Sequence, residues 1–352
     1  MRRVDGIDAL RGFSILAVLL LHVRHYLSAS APKFAEPAIF WNGYNGVIVF
    51  FGVSGFLITT TCLRRWGSLR AVPPLAFYRL RFARIVPCLL GVLFLSSALH
   101  LLRVPAFRIT NTSLPRALFA AGTFHLNWLE AKVGYLPGNW DVLWSLSIEE
   151  TFYLFFPLLC RSLGQAIVPI LLSFIVIGPF ARVAFSENEI WADKSWLSCL
   201  DAISIGCLAA LLAQRVRLRP LLPLLAGAAL VLLVMVFRTQ TGRLGLYRSG
   251  LDVTALALGA ALLSIAFAQR DAATSAVLAP LRFCGRNSYE IYLTHMFVIF
   301  GCAAAQVPWP FAIALCVAAG ALVARFYSEP LNRALRSAPG QLPAANAFGE
   351  RA

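Results

Sequence analysis

Ten stretches of roughly twenty apolar residues recur along this chain of 352 residues, and that recurrence limits the fold more than any motif does. Each is long enough to cross about 30 Å of hydrocarbon as a helix. They fall at about 9–28, 44–63, 85–104, 147–163, 166–184, 198–214, 220–237, 248–269, 288–306 and 309–327. Lipid offers no partners to backbone N–H and C=O groups, so a spanning segment must be a helix or part of a closed barrel. No alternating apolar and polar pattern suggests a barrel. The expected fold is therefore all-α: a polytopic integral membrane helical bundle of about ten transmembrane helices. It forms one domain over residues 1–336, followed by a cytoplasmic tail at 337–352 whose composition suits disorder.

Composition agrees with that constraint, since 59% of residues are hydrophobic and 13% charged, which leaves little sequence for a soluble domain. A formal charge of +15 would point to nucleic acid in a water-soluble protein. Here the arginines stand in short blocks between apolar runs rather than along an amphipathic face, so they read as topology and no nucleic-acid partner is expected. The segment 115–129 is short and carries Arg116, His125 and Asn127, and its path sets the sidedness of everything after it. If it does not cross, the Arg64–Arg84 connection, the cluster Arg215, Arg217 and Arg219, the stretch from Arg270 to Arg286 and the tail all face the cytoplasm, as the positive-inside rule asks. If it crosses, that cluster and everything beyond it move outside, while the acidic link Glu187, Glu189 and Asp193 moves inside. We therefore expect a multi-pass protein of the inner (cytoplasmic) membrane with both termini cytoplasmic. In it, 115–129 is a re-entrant or partly buried piece of an external loop at about 105–146.

The eight cysteines lie mostly inside apolar segments and form no C-x-x-C pair, so buried thiols are expected rather than disulfides or a zinc site. Arg2-Arg3, an apolar run and Ser28-Ala29-Ser30-Ala31 imitate a cleavable signal peptide. Arg11 interrupts the front of that run, and His22, Arg24 and His25 separate it from the small residues, so the segment is expected to stay.

Within the first helix, Arg11 and His22 are eleven residues apart. At about 100° per residue they return to nearly one face, and at about 1.5 Å rise they stand roughly 16 Å apart. Polar groups at the bilayer centre cost about 2.5–3.5 kcal/mol each on insertion scales, so they should face a protein cavity. The plainer account is a snorkelling Arg11 and a His22 bonded to a neighbouring helix. His25 follows within a turn, but no third ligand is spaced for a metal, and none is expected. Gly46 to Phe56 is rich in small residues that let another helix approach, and Ser54 there lacks the setting of a nucleophile. The following connection carries Arg64, Arg65, Arg70, Arg79, Arg81 and Arg84 without an acid. Forked guanidinium donors suit phosphate, and anionic-lipid contact plus topology would explain them equally well. Trp140 to Tyr153 sets Glu149 and Glu150 at a helix mouth with Ser145 or Ser147 as cap; its aromatic residues suit a sugar face or an interfacial belt. Ser288, Tyr292 and His295 share a helix face at i, i+4 and i+7. Glu329-Pro330 reads first as the stop of the last span.

Taken in order, these residues resemble acyltransferase family 3, the polytopic membrane enzymes that O-acylate surface polysaccharides, lipo-oligosaccharides and macrolide sugars. The matching elements are Arg11 and His22, Phe50-Phe51 with Ser54-Gly55-Phe56, Arg81 and Arg84 ahead of Pro87, Trp144 to Glu149, and Ser288-Tyr289 with Tyr292-Leu293 and His295. Five motifs in family order across nearly the whole chain are a specific signal. The resemblance implies His22 as the catalytic histidine, Arg11 as its partner and Glu149 as a further sensitive acid. It implies a cytoplasmic donor site of Arg79, Arg81 and Arg84, with Tyr292 and His295 counted beside them. Asp8, Trp144, Ser147, Tyr153, Asp201 and Glu329 are counted as acceptor-binding or supporting residues. No bound cofactor is expected. Acyl-CoA, acetyl-CoA by preference, would be co-substrate, and a hydroxyl of a carbohydrate-containing acceptor would receive the acyl group. Some relatives add an extracellular hydrolase-like domain; this chain is expected to act alone or to hand acyl groups to a separate protein. A transporter or flippase of an anionic or sugar-linked substrate is the alternative, although no internal repeat supports it.

Overall fold

The computed structural model describes residues 4–27, 43–269 and 276–337. The small residues 28–31 and nearly all of the tail at 337–352 lie outside the described residues. No strand occurs among those that are described, so the fold is all-helical. The helices, in chain order, are α1 (Asp5–Tyr26), α2 (Gly43–Trp66), α3 (Pro74–Leu101), α4 (Leu114–Gly122), α5 (Leu126–Val133), α6 (Gly138–Asp141), α7 (Trp144–Leu163), α8 (Ile167–Ala184) and α9 (Glu189–Lys194). They continue as α10 (Trp196–Arg215), α11 (Leu221–Met235), α12 (Arg238–Arg243), α13 (Leu251–Ala268), α14 (Ala279–Arg286), α15 (Ser288–Ala304), α16 (Trp309–Val323) and α17 (Glu329–Ser337).

Seven helical stretches among the described residues are long and apolar enough to cross a membrane, so the count of about ten is not confirmed. One of the seven, Gly138–Ala184, runs for 47 residues and takes in two of the expected spans, divided where Gly164 turns left-handed at φ 58°. The segments expected at 220–237 and 288–306 are helical over only 15 and 17 residues, as α11 and α15, shorter than the roughly 20 residues a span needs. The ambiguous segment 115–129 breaks at Phe124, φ 57°, into α4 and α5 of 9 and 8 residues. Neither can cross. Both fold against the bundle, with the Leu126 N–H donating to Ser147 Oγ at 3.1 Å and Asn127 donating to the Lys194 carbonyl at 2.9 Å.

Two sequence expectations change. No serine caps α7: Leu143 holds that position without a side-chain bond, and Ser145 and Ser147 lie inside the first turn. The last span does not stop at Glu329-Pro330 either. It passes through a π turn at Ala324–Ser328 into α17, so Pro330 lies within a continuous helical run.

The core is formed where α2 packs on α10 and α1 packs on α14, α2 and α15. Glycine makes the first two contacts possible. A Cβ on Gly55 would overlap the Ile203 carbonyl, and one on Gly285 would overlap the Asp8 carbonyl. Gly55→Val should therefore abolish recovery of monodisperse protein on size-exclusion in detergent. Gly122→Ala, with open space around it, should elute like the parent. The resulting bundle has a near end, carrying Asp8, Arg81, Arg286 and α17, and a far end, carrying Tyr44, Lys194, Arg182 and Asp252. All eight cysteines are buried and unpaired.

Candidate active site

A cavity of about 650 Å³ opens at the near end between α1, α2, α3, α7, α15 and α17. Seven arginines line it (Arg11, Arg64, Arg81, Arg84, Arg286, Arg333 and Arg336) against three carboxylates, Asp8, Glu149 and Glu329. Some of that charge is paired. Arg286 reaches Asp5 and Asp8 at 3.3 Å, Arg84 reaches the buried Glu290 at 3.4 Å, and Arg333 reaches Glu329 at 3.9 Å. Two guanidinium groups keep unspent donors: Nε of Arg11 and Nε of Arg81 are buried and bonded to no described residue. Arg11 is held by donating to Ser288 Oγ at 2.9 Å and by lying 5.2 Å from the Phe50 ring; Arg81 lies 3.7 Å over the Tyr153 ring. Buried donors without acceptors are expensive. A cationic, partly unsatisfied cavity is suited to a polyanion.

From this cavity a narrow extension of about 30 Å³ follows α1 inward past Ser14, Ile15 and Val18, room for about one water. Phe50, Leu146, Glu149 and Tyr289 border both spaces, so Glu149 stands at the throat, and its Oε1 also lacks a partner. His22 lies one turn beyond Val18, at the end of this line, and lines neither space. Its Nδ1 is 3.0 Å from the Val18 carbonyl and 3.3 Å from Nε2 of His295, whose own Nδ1 is 2.6 Å from the Tyr292 carbonyl. A carbonyl can only accept. Both rings therefore carry their proton on Nδ1, His295 Nε2 can accept from His22, and the lone pair on His22 Nε2 is left free.

Beyond His22, toward the far end, is a buried ion cluster that sequence reasoning missed. The Lys194 ammonium pairs with Glu130 at 3.2 Å and with Asp141, and it lies 4.6 Å and 5.6 Å from the Tyr135 and Trp144 rings. A signal was available, because Lys194 is one of only three lysines in the chain, and a cation that rare beside an apolar run invites a search for its partners.

The residues singled out from sequence thus separate into three places. Asp8, Arg11, Arg81, Arg84, Glu149, Tyr153 and Glu329 meet at the near cavity. Arg79 does not join them, since its guanidinium turns to the Arg336 carbonyl at 3.5 Å. Tyr292 and His295, grouped with the donor residues on sequence, instead belong to the narrow extension and to the His22 contact. Trp144 stacks on Tyr44 with centroids 5.8 Å apart, and Ser147 binds the α5 backbone, so both brace the far end. Asp201 is remote from both spaces. It is fully buried against Arg182 at 2.8 Å and accepts from Thr254 at 2.6 Å, which makes it a structural partner.

Residues 4–327 match a family model described as an acyltransferase domain. The chain is 26% identical over 335 residues to O-acetyltransferase OatA of Staphylococcus aureus (strain NCTC 8325 / PS 47), covering 85% of this chain and 51% of that protein. It is 28% identical over 322 residues to the peptidoglycan O-acetyltransferase OatA of Listeria monocytogenes, covering 84% and 49%. The chain spans about half the length of these curated relatives. No solved structure matches it.

Proposed function

The chain belongs to acyltransferase family 3, and from that membership we propose that it is an O-acetyltransferase of the cytoplasmic membrane, carrying acetyl groups from acetyl-CoA to a hydroxyl of a carbohydrate acceptor. One observation carries the reading: an arginine-rich cavity with orphaned donors leads along a single helix toward a histidine whose Nε2 is free. The arginine blocks at the near end favour placing it in the cytoplasm, where acyl-CoA is found. The relatives' names favour acetyl as the group and a glycan as the acceptor.

In this reading the phosphates of the donor sit among Arg64, Arg81, Arg84 and Arg333, and the pantetheine arm widens the throat between Phe50 and Tyr289. Glu149 Oε1 accepts from an amide N–H of that arm. The thioester then meets His22. Nε2 takes the proton of the acceptor hydroxyl as its oxygen bonds to the thioester carbonyl, the C–S bond breaks, and the leaving thiolate receives that proton. The products are an ester and the free thiol of the donor. His295 holds the His22 ring in the required tautomer by accepting from Nδ1.

The test uses the full chain in nanodiscs with radiolabelled acetyl-CoA and chitotetraose as acceptor. Alkali-labile label on the sugar supports the proposal. Label or sugar that crosses the bilayer with no ester formed would reject it and favour a carrier. Arg81→Ala and Arg84→Ala should each raise the KM for acetyl-CoA by about ten- to a hundredfold, as expected from losing a charge-assisted bond of about 1.5–3 kcal/mol. The KM for chitotetraose should stay unchanged, which separates donor binding from general damage.

A further inference from the structure

A second cavity, about 660 Å³ and so as large as the first, lies at the far end among α2, α8, α9, α12 and α13, and the chemistry above makes no use of it. We propose that it binds the sugar chain of the acceptor as a neutral oligosaccharide, an inference that rests on the reading of this chain as a carbohydrate O-acyltransferase.

The lining argues for that ligand class. Asn45 is only 6% exposed and lines the cavity, and its side-chain amide makes no hydrogen bond to any described residue. A buried amide left open supplies a donor and an acceptor side by side, which is what adjacent sugar hydroxyls require. Two aromatic rings, Tyr44 and Tyr247, form walls on which the apolar face of a pyranose can rest. The first is fixed, since its hydroxyl donates to the Asp193 carbonyl at 2.7 Å and its ring stacks on Trp144. Charges balance around the cavity: Arg182, Arg238 and Arg248 stand against Glu189, Asp193 and Asp252. Arg182 is already committed to Asp201 and Arg238 lies 5.8 Å from the Tyr247 ring, so a polyanion would face three carboxylates with only two remaining arginines. The near cavity, with its excess of arginine, has the opposite preference. Position also fits. A chain of contacts, Tyr44 on Trp144, Trp144 beside Lys194 and Lys194 on Asp141, runs inward from this cavity. The two substrates would thus approach the histidine from opposite ends.

Binding and turnover are read separately. Chitotetraose is titrated calorimetrically against the full chain in nanodiscs, and acetyl transfer to it is followed with labelled acetyl-CoA. Asn45→Ala and, because Asn45 is buried, the more exposed Tyr247→Ala as a second variant should each weaken chitotetraose binding at least tenfold. Each should raise its KM to match while leaving the KM for acetyl-CoA as in the parent. A polysulfated tetrasaccharide should compete poorly. Parental affinity and KM in both variants, or no binding of chitotetraose by the parent, would overturn the site. Site-dependent binding without ester formation would leave the site standing and remove the enzymatic reading. Ester formation with an unchanged KM in both variants would do the reverse.

Discussion

His22→Ala is expected to reduce acetyl transfer by about a hundred- to ten-thousandfold, the usual range for loss of a positioned general base. It should leave expression, size-exclusion profile and thermal midpoint near those of the parent. The side chain is only partly buried and its contacts are to the Val18 carbonyl and His295, so removing it leaves no buried charge without a partner. His295→Asn gives a sharper check on the tautomer argument. Asparagine can still accept from Nδ1, so transfer should survive better than in His295→Leu, where only the Val18 carbonyl accepts. Measured kcat should fall in the order parent, His295→Asn, His295→Leu, His22→Ala. Most of the parental activity in His22→Ala would end the assignment of this residue as base.

The second large effect is on stability. Arg182 sits 8% exposed and makes a set of bonds that ties three helices together: Asp201 on α10 at 2.8 Å and 3.2 Å, Thr254 on α13 at 2.6 Å, the Gly250 carbonyl at 2.7 Å and the Ser198 carbonyl. Arg182→Met removes the cation and strands a carboxylate that is 0% exposed. Breaking a buried pair in this way costs about 3–5 kcal/mol. We expect a thermal midpoint lowered by many degrees, read by fluorescence of the detergent-solubilised protein. Arg182→Met combined with Asp201→Leu should recover much of the loss, because an apolar pair leaves no charge uncompensated. If the double variant were no better than the single one, the ion pair would not be the source of the effect.

How much of this was legible in the sequence depended on the range of the interaction. The helices were legible because apolar run length is a local property, and so was the Arg11 and His22 stripe, which follows from helical periodicity alone. The near cavity was largely legible too, since Arg81, Arg84, Glu149 and Glu329 could be gathered by motif order. The count of spans was less so, because α11 and α15 are shorter than their apolar runs and a short helical turn at Gly164–Ala166 joins two runs into one stretch. The Lys194 cluster was not legible. Glu130, Asp141 and Lys194 come from α5, α6 and α9, and only the folding of the short helices onto the far end brings them together. The setting of Asp201 was not legible for a related reason. An acid inside a membrane helix is a functional candidate by default, and its cation partner lies 19 residues away on a different helix.

The constriction between Phe50 and Tyr289 has a consequence for how the protein behaves at rest. A waist that admits about one water is also a plug in the membrane. On the proposed function it would keep small ions from leaking down the route that the donor arm takes. On the proposed function it would also keep bulk water away from a thioester at the histidine, so that in the absence of sugar the acyl group would persist instead of being hydrolysed.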